Sequence, residues 1–249
     1  MNINNFFKQV PPVTLHITII NVLVWLATAA LATTGVSLND YLGLHYWQCS
    51  QFGVWQLVTS MFMHDGLAHI FFNMFSLVML GAWVERAMGS RRYLLFYFVC
   101  GVGAGLVQEL MWHFTWRGIT MPMTATYAGG VVQQIEVTGA ELLAHSPGSL
   151  DEFFKGLVAI GASGAVFGVL LAFGVLFPNM PMYIIPLPFP IKAKWMVLGY
   201  GALELMFGVS GTMDHVAHFA HLGGMIFAAA LLFFWYKTGV LRRVSYGVG

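Results

Sequence analysis

The sequence predicts an all-α membrane protein with six transmembrane helices. Of its 249 residues, 58% are hydrophobic and only 8% are charged, whereas soluble domains carry roughly 25% charged residues. A soluble fold of this length cannot hide so much apolar surface, because part of every soluble protein faces water. The apolar residues also come in runs of about 20, the length that crosses a bilayer core of roughly 30 Å. Lipid is therefore the expected solvent for most of the chain.

Six apolar runs define the predicted spans, and we expect them to form one membrane domain over residues 1–249. The runs cover residues 13–32, 57–84, 93–114, 156–177, 194–209 and 215–236. They leave short tails at 1–12 and 237–249 and two long connections at 35–56 and 115–155. The first connection is aromatic, which favours the lipid headgroup zone. The second is polar, and its sequence is compatible with either an ordered cap or a flexible loop.

The positions of the charged residues predict the orientation of these spans. Nine of the eleven Lys and Arg residues lie in the two tails and in the connections after spans 2 and 4. Only Arg117 and Lys155 lie in the other connections. Positively charged loops stay in the cytoplasm, so both termini are expected there and the two long connections outside. The net charge of +1 creates no field that would attract nucleic acid, and we expect no such partner.

Polar residues inside a predicted span are the candidate functional residues, because a polar group in lipid is costly. Ser163 stands near the outer start of span 4, within the run Gly161-Ala162-Ser163-Gly164. Gly164 and Gly168 form a small face on the same helix. A serine among small residues is by itself typical of close helix packing, so this motif alone does not identify a nucleophile.

A histidine on span 6 indicates a second possible role for Ser163, that of a nucleophile. His221 is followed by Gly224 and Ala228 on its own helical face, which permits close approach of another helix. Counted along helices, His221 and Ser163 lie roughly 9 Å and 10 Å from the outer ends of their spans. A serine and a histidine at matching depth are a nucleophile and its general base. His218 is the alternative base, although the bulkier Met225 stands seven residues after it.

Span 2 contributes a pair of hydrogen-bond donors. His69 and Asn73 are four residues apart and share one helical face. Because span 2 also enters from the outer side, the pair can reach the depth of Ser163. Acyl transfer needs such donors for the oxyanion that develops on the substrate carbonyl. The alternative is that Asn73 makes an ordinary hydrogen bond between helices.

In this order and on alternating spans, the motifs resemble those of the rhomboid family of intramembrane serine proteases. The resemblance rests on Gly161-Ala162-Ser163-Gly164, on the His69–Asn73 pair, and on His221 with its two small followers. It covers nearly the whole chain. The loop dipeptide Trp55-Gln56 resembles a Trp-Arg signature of the family. Gln56 replaces the Arg, so we do not expect a loop-anchoring ion pair there.

The resemblance implies a six-helix bundle around a short span 4, with a water-filled cavity open to the outside. It implies that Ser163 is the nucleophile and His221 the base, with no required carboxylate. Asn73, His69 and the backbone amide of Ser163 would bind the oxyanion. The glycines that would pack near the site are Gly161, Gly164, Gly168 and Gly224. Under the same resemblance Glu109 and Glu204 would be structural, bonded inside the bundle.

The family resemblance also implies substrates and a location. We expect cleavage of single-span or other transmembrane proteins, contact with membrane lipids, and neither a cofactor nor a metal. The expected location is a bacterial inner (plasma) membrane, with the chain as a multi-pass protein.

Two other functions compete with proteolysis. A transporter or metal carrier could use the histidines at 215, 218 and 221, but His215 and His221 point about 120° apart on one helix, so the three cannot converge on one metal. A catalytically inactive rhomboid-like protein could bind membrane clients without cleaving them. Such a protein would be expected to lack Ser163 or His221, and both are present.

Overall fold

The computed structural model describes residues 10–126, 130, 132–183, 189–210 and 217–241, and most of them are helical. The long helices are α1 (Pro12–Ala32), α2 (Leu67–Met88), α3 (Ser90–Thr115), α4 (Ser163–Leu176), α5 (Ala193–Ser210) and α6 (His218–Lys237). Within α2, the segment Leu77–Gly81 is a π-helix. Shorter helices and 3₁₀ turns lie at Asn39–Leu42, Gln56–Thr59, Ser60–Phe62, Trp116–Gly118, Gly139–His145, Pro147–Ser149 and Leu150–Lys155.

Six short strands form three antiparallel pairs among the described residues. Strand β1 (Leu44–His45) pairs with β4 (Val158–Ala159), and these two strands join the first long connection to the second. Strands β2 (Thr120–Thr126) and β3 (Val132–Thr138) form a hairpin in the second connection. Strands β5 (Pro181–Met182) and β6 (Ile191–Lys192) pair between α4 and α5.

Four of the described helices, α1, α2, α3 and α6, are long and apolar enough to cross a membrane, judged by length and composition. Helix α4 is apolar but has only 14 residues, and α5 is not among the four. The prediction of a helical membrane protein is therefore supported in its coarser form, because the described residues are mostly helical but also include three strand pairs that were not predicted, and the count of six spans is supported only for these four. Large apolar side chains such as Leu23 and Leu26 on α1 are more than half exposed, as expected for a surface that faces lipid.

The prediction from the sequence placed the start of two spans too early. The second was predicted as one helix from residue 57, but the chain makes short turns up to Phe62 and α2 begins only at Leu67. The fourth was predicted to be helical from residue 156, but α4 begins at Ser163. Strand pairing at β4 and a φ of +122° at Gly161 exclude a helix before Ser163. The depth of Ser163 counted along a helix is therefore wrong. His215, at the predicted start of span 6, lies outside the described residues.

Helix α4 forms the centre of the bundle and packs against α3, α5, α6 and the π-segment of α2. Small residues allow this close packing. A Cβ atom on Gly168 would lie 2.6 Å from the Sγ of Cys100 on α3, and one on Gly224 of α6 would overlap the backbone of Gly164. Because most positions of α4 are buried, side chains on it are held firmly by their neighbours.

A buried carboxylate that the sequence did not single out anchors the beginning of α1. Glu85 is only 1% exposed. It accepts hydrogen bonds from the backbone N–H groups of Val13 and Thr14 at 3.0 and 2.7 Å, and from the Ser90 hydroxyl at 2.7 Å. The N–H groups of a helix's first turn lack partners within the helix, and a negative charge there is favourable. Glu85 thereby ties α1 to the junction of α2 and α3.

The two long connections form a folded cap on the bundle, which we define as residues 35–56 and the described part of 115–159. Its core consists of Tyr46, Cys49, Trp116, Leu142, Phe153, Phe154 and Leu157, which pack together with Trp112 of α3. Asp151 accepts two hydrogen bonds from the backbone N–H and hydroxyl of Ser50, both at 2.7 Å, and these bonds lower the pKa of the Asp151 carboxyl. Burial raises the pKa of the free Cys49 thiol, which makes it unreactive. The second connection is thus an ordered cap in its described part.

Candidate functional site

The side chains of Ser163 and His221 meet at the beginning of α4. The Oγ atom of Ser163 lies 2.8 Å from Nε2 of His221 on α6. The imidazole also stacks on Phe167, one turn after Ser163, with ring centroids 4.2 Å apart and planes inclined by only 6°. In the tautomer that carries its proton on Nδ1, His221 accepts the hydroxyl hydrogen of Ser163. A serine bonded in this way to a fixed imidazole can act as a nucleophile.

The position of Ser163 in α4 suits a reaction that develops negative charge. Ser163 is the first residue of the helix, where the backbone N–H groups have no acceptor within the helix and the helix dipole is positive. The preceding turn is held in place because the N–H of Gly161 donates to the carbonyl of Ser60 at 2.9 Å. Backbone donors fixed beside a nucleophile are the usual way to stabilise an oxyanion.

His69 of α2 reaches the same place. A Cβ atom on Gly161 would lie 2.7 Å from Nε2 of His69 and 3.7 Å from Oγ of Ser163, so the imidazole occupies the space beside the nucleophile that Gly161 leaves open. The other ring nitrogen, Nδ1, lies 2.7 Å from the carboxylate of Asp65. The edge of the His64 ring also contacts His69, with centroids 4.9 Å apart. Asp65 and His64 thereby fix the orientation of His69.

Asn73 lies on the same face of α2 and is only 6% exposed. Its side-chain amide donates a hydrogen bond to the carbonyl of His69, one turn earlier, at 3.1 Å. The amide is therefore engaged with its own helix in this structure, and it would have to leave that carbonyl to bind a substrate oxygen.

A small cavity of about 40 Å³ lies beside Ser163. Ser60 and Gln108 are among its polar lining residues. Oε1 of Gln108 has no hydrogen-bond partner among the described residues. The rest of the lining is mainly apolar, but the cavity is large enough for a water molecule that these polar groups would bind, and hydrolysis needs water close to the nucleophile.

The remaining polar residues of α5 and α6 form a group of their own. Glu204 of α5 lies between two histidines of α6: its Oε2 atom is 2.7 Å from Nδ1 of His218 and 3.0 Å from Nδ1 of His221. The family resemblance implied a structural role for Glu204, and nothing in the sequence indicated that it contacts His221. The only available signal was that Glu204 is the one acidic residue in the predicted fifth span. His218, the alternative base, contacts Glu204.

Gln56 anchors the first long connection without any charge. It is fully buried. Its Oε1 accepts from the backbone N–H groups of His45 and Gly53, and its Nε2 donates to the carbonyls of Tyr41 and Gln51, at distances between 2.9 and 3.2 Å. The amide thus uses both its donors and both its acceptor sites on the loop backbone, so it fixes this loop without an ion pair.

Comparison with known proteins identifies relatives of this chain. A family model described as Rhomboid domain matches residues 51–238. RHOMBOID-like protein 1 of Arabidopsis thaliana is 26% identical over 69% of this chain and 32% of its own length. Rhomboid protease GluP of Bacillus subtilis (strain 168) is 28% identical over 82% of this chain and 30% of its own length. Inactive RHOMBOID-like protein 8 of Arabidopsis thaliana is 36% identical, but over only 23% of this chain and 16% of its own length. The chain spans less than half the length of each of these relatives.

Proposed function

The chain belongs to the rhomboid family, and on this basis we propose that it is an intramembrane serine endopeptidase, which cleaves transmembrane protein substrates within or near the membrane. One observation carries the proposal: the 2.8 Å contact between Ser163 Oγ and His221 Nε2 at the first residue of α4. Rhomboid protease GluP, a relative over most of this chain, is named as a protease. Substrates are proposed to be single-span or other transmembrane proteins, and membrane lipids are the surrounding solvent.

The proposed reaction proceeds through an acyl-enzyme. Ser163 Oγ attacks the carbonyl carbon of the scissile bond, and Nε2 of His221 takes the hydroxyl proton. The bond between carbon and nitrogen then breaks, and His221 gives that proton to the departing amine. A water molecule attacks the resulting ester with His221 again as base. This second step releases the new carboxylic acid and restores the hydroxyl of Ser163.

The proposed oxyanion site consists of the Ser163 backbone N–H, the His69 ring and the Asn73 amide. Because the Asp65 carboxylate accepts a hydrogen bond from Nδ1–H of His69, only the doubly protonated ring has an Nε2–H left to donate. Asn73 would contribute after turning from the His69 carbonyl toward the substrate oxygen. Each of these donors would stabilise the transition state more than the ground state, which is the requirement for raising kcat.

The whole chain is proposed to be one domain that crosses a bacterial inner membrane six times with both termini in the cytoplasm. The nine Lys and Arg residues assigned to the cytoplasmic segments support this orientation. In this arrangement α4 and α5 are the fourth and fifth spans. A short α4 is tolerated because it is surrounded by other helices, so its ends need not reach the lipid headgroups.

Covalent labelling of the serine tests the proposal directly. We expect purified protein in liposomes to cleave a single-span model substrate and to react with a fluorophosphonate at Ser163. Ser163→Ala and His221→Ala should each abolish cleavage, because either change removes the nucleophile or its base. Ser76→Ala provides the matched control, since Ser76 is a half-buried serine of α2 that has no role in the proposed reaction, and it should retain full activity.

Two outcomes would contradict the proposal. Cleavage by Ser163→Ala at the wild-type rate would exclude Ser163 as the nucleophile. A folded wild-type protein that binds the substrate but neither cleaves it nor takes the label would support the alternative, an inactive rhomboid-like protein that binds membrane clients. One relative of this chain is itself named as inactive, Inactive RHOMBOID-like protein 8.

A further inference from the structure

Three ionisable side chains meet behind the proposed base, where neither the sequence nor the family resemblance requires them. The side chains of His218, His221 and Glu204 are only 7%, 10% and 12% exposed. Their ligand-type atoms lie within 4.8 Å of one another. An unpaired carboxylate in so dry a place would be costly, so the group must be held together either by hydrogen bonds or by a metal ion.

The distances favour hydrogen bonds over a metal. Two ligand atoms about 2.05 Å from a tetrahedral zinc ion are roughly 3.3 Å apart. Glu204 Oε2 is closer than that to both histidines, at 2.7 Å from Nδ1 of His218 and 3.0 Å from Nδ1 of His221. The first distance is that of a charge-assisted hydrogen bond. The carboxylate oxygen therefore lies closer to both imidazole nitrogens than two ligands of one zinc ion lie to each other.

The nitrogen of His221 that faces Glu204 matters for the proposed chemistry. If Nδ1 carries the proton, Nε2 has the lone pair that must accept the Ser163 hydrogen; in the other tautomer Nε2 is already protonated and cannot act as a base. A carboxylate beside Nδ1 selects the productive tautomer and stabilises the imidazolium that forms after proton transfer. The 3.0 Å distance lies within hydrogen-bonding range, but the angle does not, so Nδ1 of His221 has no hydrogen-bond partner among the described residues; such contacts commonly become better aligned once substrate is bound.

We propose that Glu204 is a positioning residue for His221: it accepts the Nδ1–H of the imidazole and so keeps Nε2 directed at Ser163 as a proton acceptor. This inference rests on the proposed proteolytic function. His218 forms a hydrogen bond to the same carboxylate oxygen at 2.7 Å and so fixes its position. Ser163, His221 and Glu204 come from α4, α6 and α5 respectively. The complete arrangement therefore requires α5 to stay packed against α6.

Contacts between α5 and α6 show how the carboxylate is kept in place. A Cβ atom on Gly201 would lie 3.3 Å from the Met225 side chain, and one on Gly208 would lie 3.1 Å from the Phe219 ring. The two glycines stand three positions before and four positions after Glu204 on the helix, so they share its face. Close approach of the two helices above and below Glu204 sets its distance from His221.

The test compares kcat and KM of Glu204→Leu and Glu204→Gln with the wild type, on a single-span substrate in liposomes. We expect Glu204→Leu to lower kcat by about 10²-fold, at the lower end of what general base catalysis contributes, with KM within about twofold because substrate contacts are unchanged. Glu204→Gln, which keeps an acceptor but loses the charge, should fall in between. Fluorophosphonate labelling of Ser163 should slow in the same order.

Glu109→Gln is the matched control. Glu109 is also a buried carboxylate in a predicted span, 2% exposed, and it accepts a hydrogen bond from the Trp47 backbone at 2.9 Å. If burial of a carboxylate matters only for folding, both Gln variants should melt earlier and neither should change kcat. We expect instead that Glu109→Gln lowers the melting temperature with kcat within about twofold of the wild type, because it lacks a contact with the base.

Three results would overturn the inference. The first is a Glu204→Leu protein, without any acceptor for Nδ1–H, that melts like the wild type and keeps its kcat. The second is an increase of KM alone. The third is a wild-type activity that rises when a chelator is added, in a way that Glu204→Gln abolishes, because this would assign the cluster to a metal ion. A wild type that neither cleaves nor takes the label would instead refute the proposed function itself, independently of the Glu204 comparison.

Discussion

At the scale of single residues, the site depends on backbone conformation as much as on side-chain type. Gly161 has a φ of +122°, a region that L-residues with side chains avoid. Its missing Cβ leaves the space that the His69 ring occupies. The glycine two positions before Ser163 thus allows both the sharp entry into α4 and the approach of His69. No packing argument based on small residues alone would have assigned it both roles.

Asn73 gives a prediction at this scale. Replacing Asn73 by Ala should lower kcat for peptide cleavage by about 10²–10³-fold, because one oxyanion donor of several is lost. KM should change little, since the proposed contact forms mainly in the transition state. The measurement is steady-state cleavage of a model substrate in liposomes, together with thermal unfolding to confirm that the variant is folded.

Asn21→Ala is the matched control for this prediction. Asn21 is also a buried helical asparagine, and its amide donates to the carbonyl of Ile17, four residues earlier, at 2.8 Å. Like the bond from Asn73 to His69, this hydrogen bond joins a side-chain amide to the carbonyl four residues earlier. Asn21, however, lies on α1, away from Ser163. Its loss should cost stability and leave kcat unchanged. Equal losses of kcat in the two variants would show that Asn73 acts only through its intrahelical hydrogen bond.

At the scale of structural elements, the first long connection is held together by the Gln56 amide and is held to the bundle by the Glu109 carboxyl group. Gln56 binds four backbone groups of its own loop, while Glu109 of α3 accepts the backbone N–H of Trp47. Tyr46 is completely buried in the cap core, whereas Trp55 is 61% exposed. The aromatic residues of this loop therefore divide between the cap core and the outer surface, and the loop does not simply lie among the lipid headgroups.

The second prediction concerns this loop. Gln56→Leu keeps the size of the side chain but leaves two buried N–H groups and two carbonyls without their partner. Each buried polar group that loses its hydrogen bond costs about 1–3 kcal/mol, so the free energy of unfolding should fall by at least that amount, with a matching drop in melting temperature. Gln51→Leu, at an exposed position of the same loop, should have little effect. A Gln56→Leu protein as stable as the wild type would contradict the anchoring role.

At the scale of the whole molecule, the arrangement is a buried helix surrounded by longer helices and covered on one end by a folded cap. Ser163 lies where the cap, through β4, passes into the central helix α4. His221 and His69 approach from α6 and α2. The candidate site therefore lies at the junction of cap and bundle, and the fold of the cap directly determines where α4 begins.

The third prediction distinguishes six spans from four. With six spans, the turn after α4 lies in the cytoplasm; if α4 and α5 do not cross, the same turn lies outside. We expect Asn179→Cys, at an exposed position of this turn, to resist a membrane-impermeant thiol reagent in intact cells and to react after permeabilisation. Thr124→Cys, on an exposed strand position of the cap, should react in intact cells. The native cysteines, Cys49 and Cys100, are buried and should contribute little background.

Labelling of Asn179→Cys from outside in intact cells would refute the six-span topology but would leave the proposed chemistry of Ser163 untouched. The side on which the termini lie does not distinguish four spans from six, because any even number of spans places both termini on the same side of the membrane. The turn after α4 is informative because its side of the membrane changes with the status of α4 and α5 alone.

Composition and local patterns determined the broad class of this protein. The shortage of charge and the apolar runs indicate a membrane protein, because no soluble fold could bury them. Four of the predicted spans correspond to helices long and apolar enough to cross a membrane. The order of the motifs around Ser163, His221, His69 and Asn73 indicated the rhomboid family, to which the chain belongs. The catalytic roles of these four residues remain predictions that the labelling and kinetic experiments test.

Contacts between distant parts of the chain decided the rest. Periodicity extended the fourth span back to residue 156, but pairing of β4 with β1, more than 100 residues earlier, made Ser163 the first helical residue and gave it the free N–H groups of a helix start. The contact of Glu204 with His221 likewise depends on how closely α5 and α6 pack. The sequence by itself determined the solvent of this protein and its family, because these follow from composition and local spacing. Only the tertiary structure decided which groups surround Ser163 and His221, because hydrogen bonds between helices depend on three-dimensional packing.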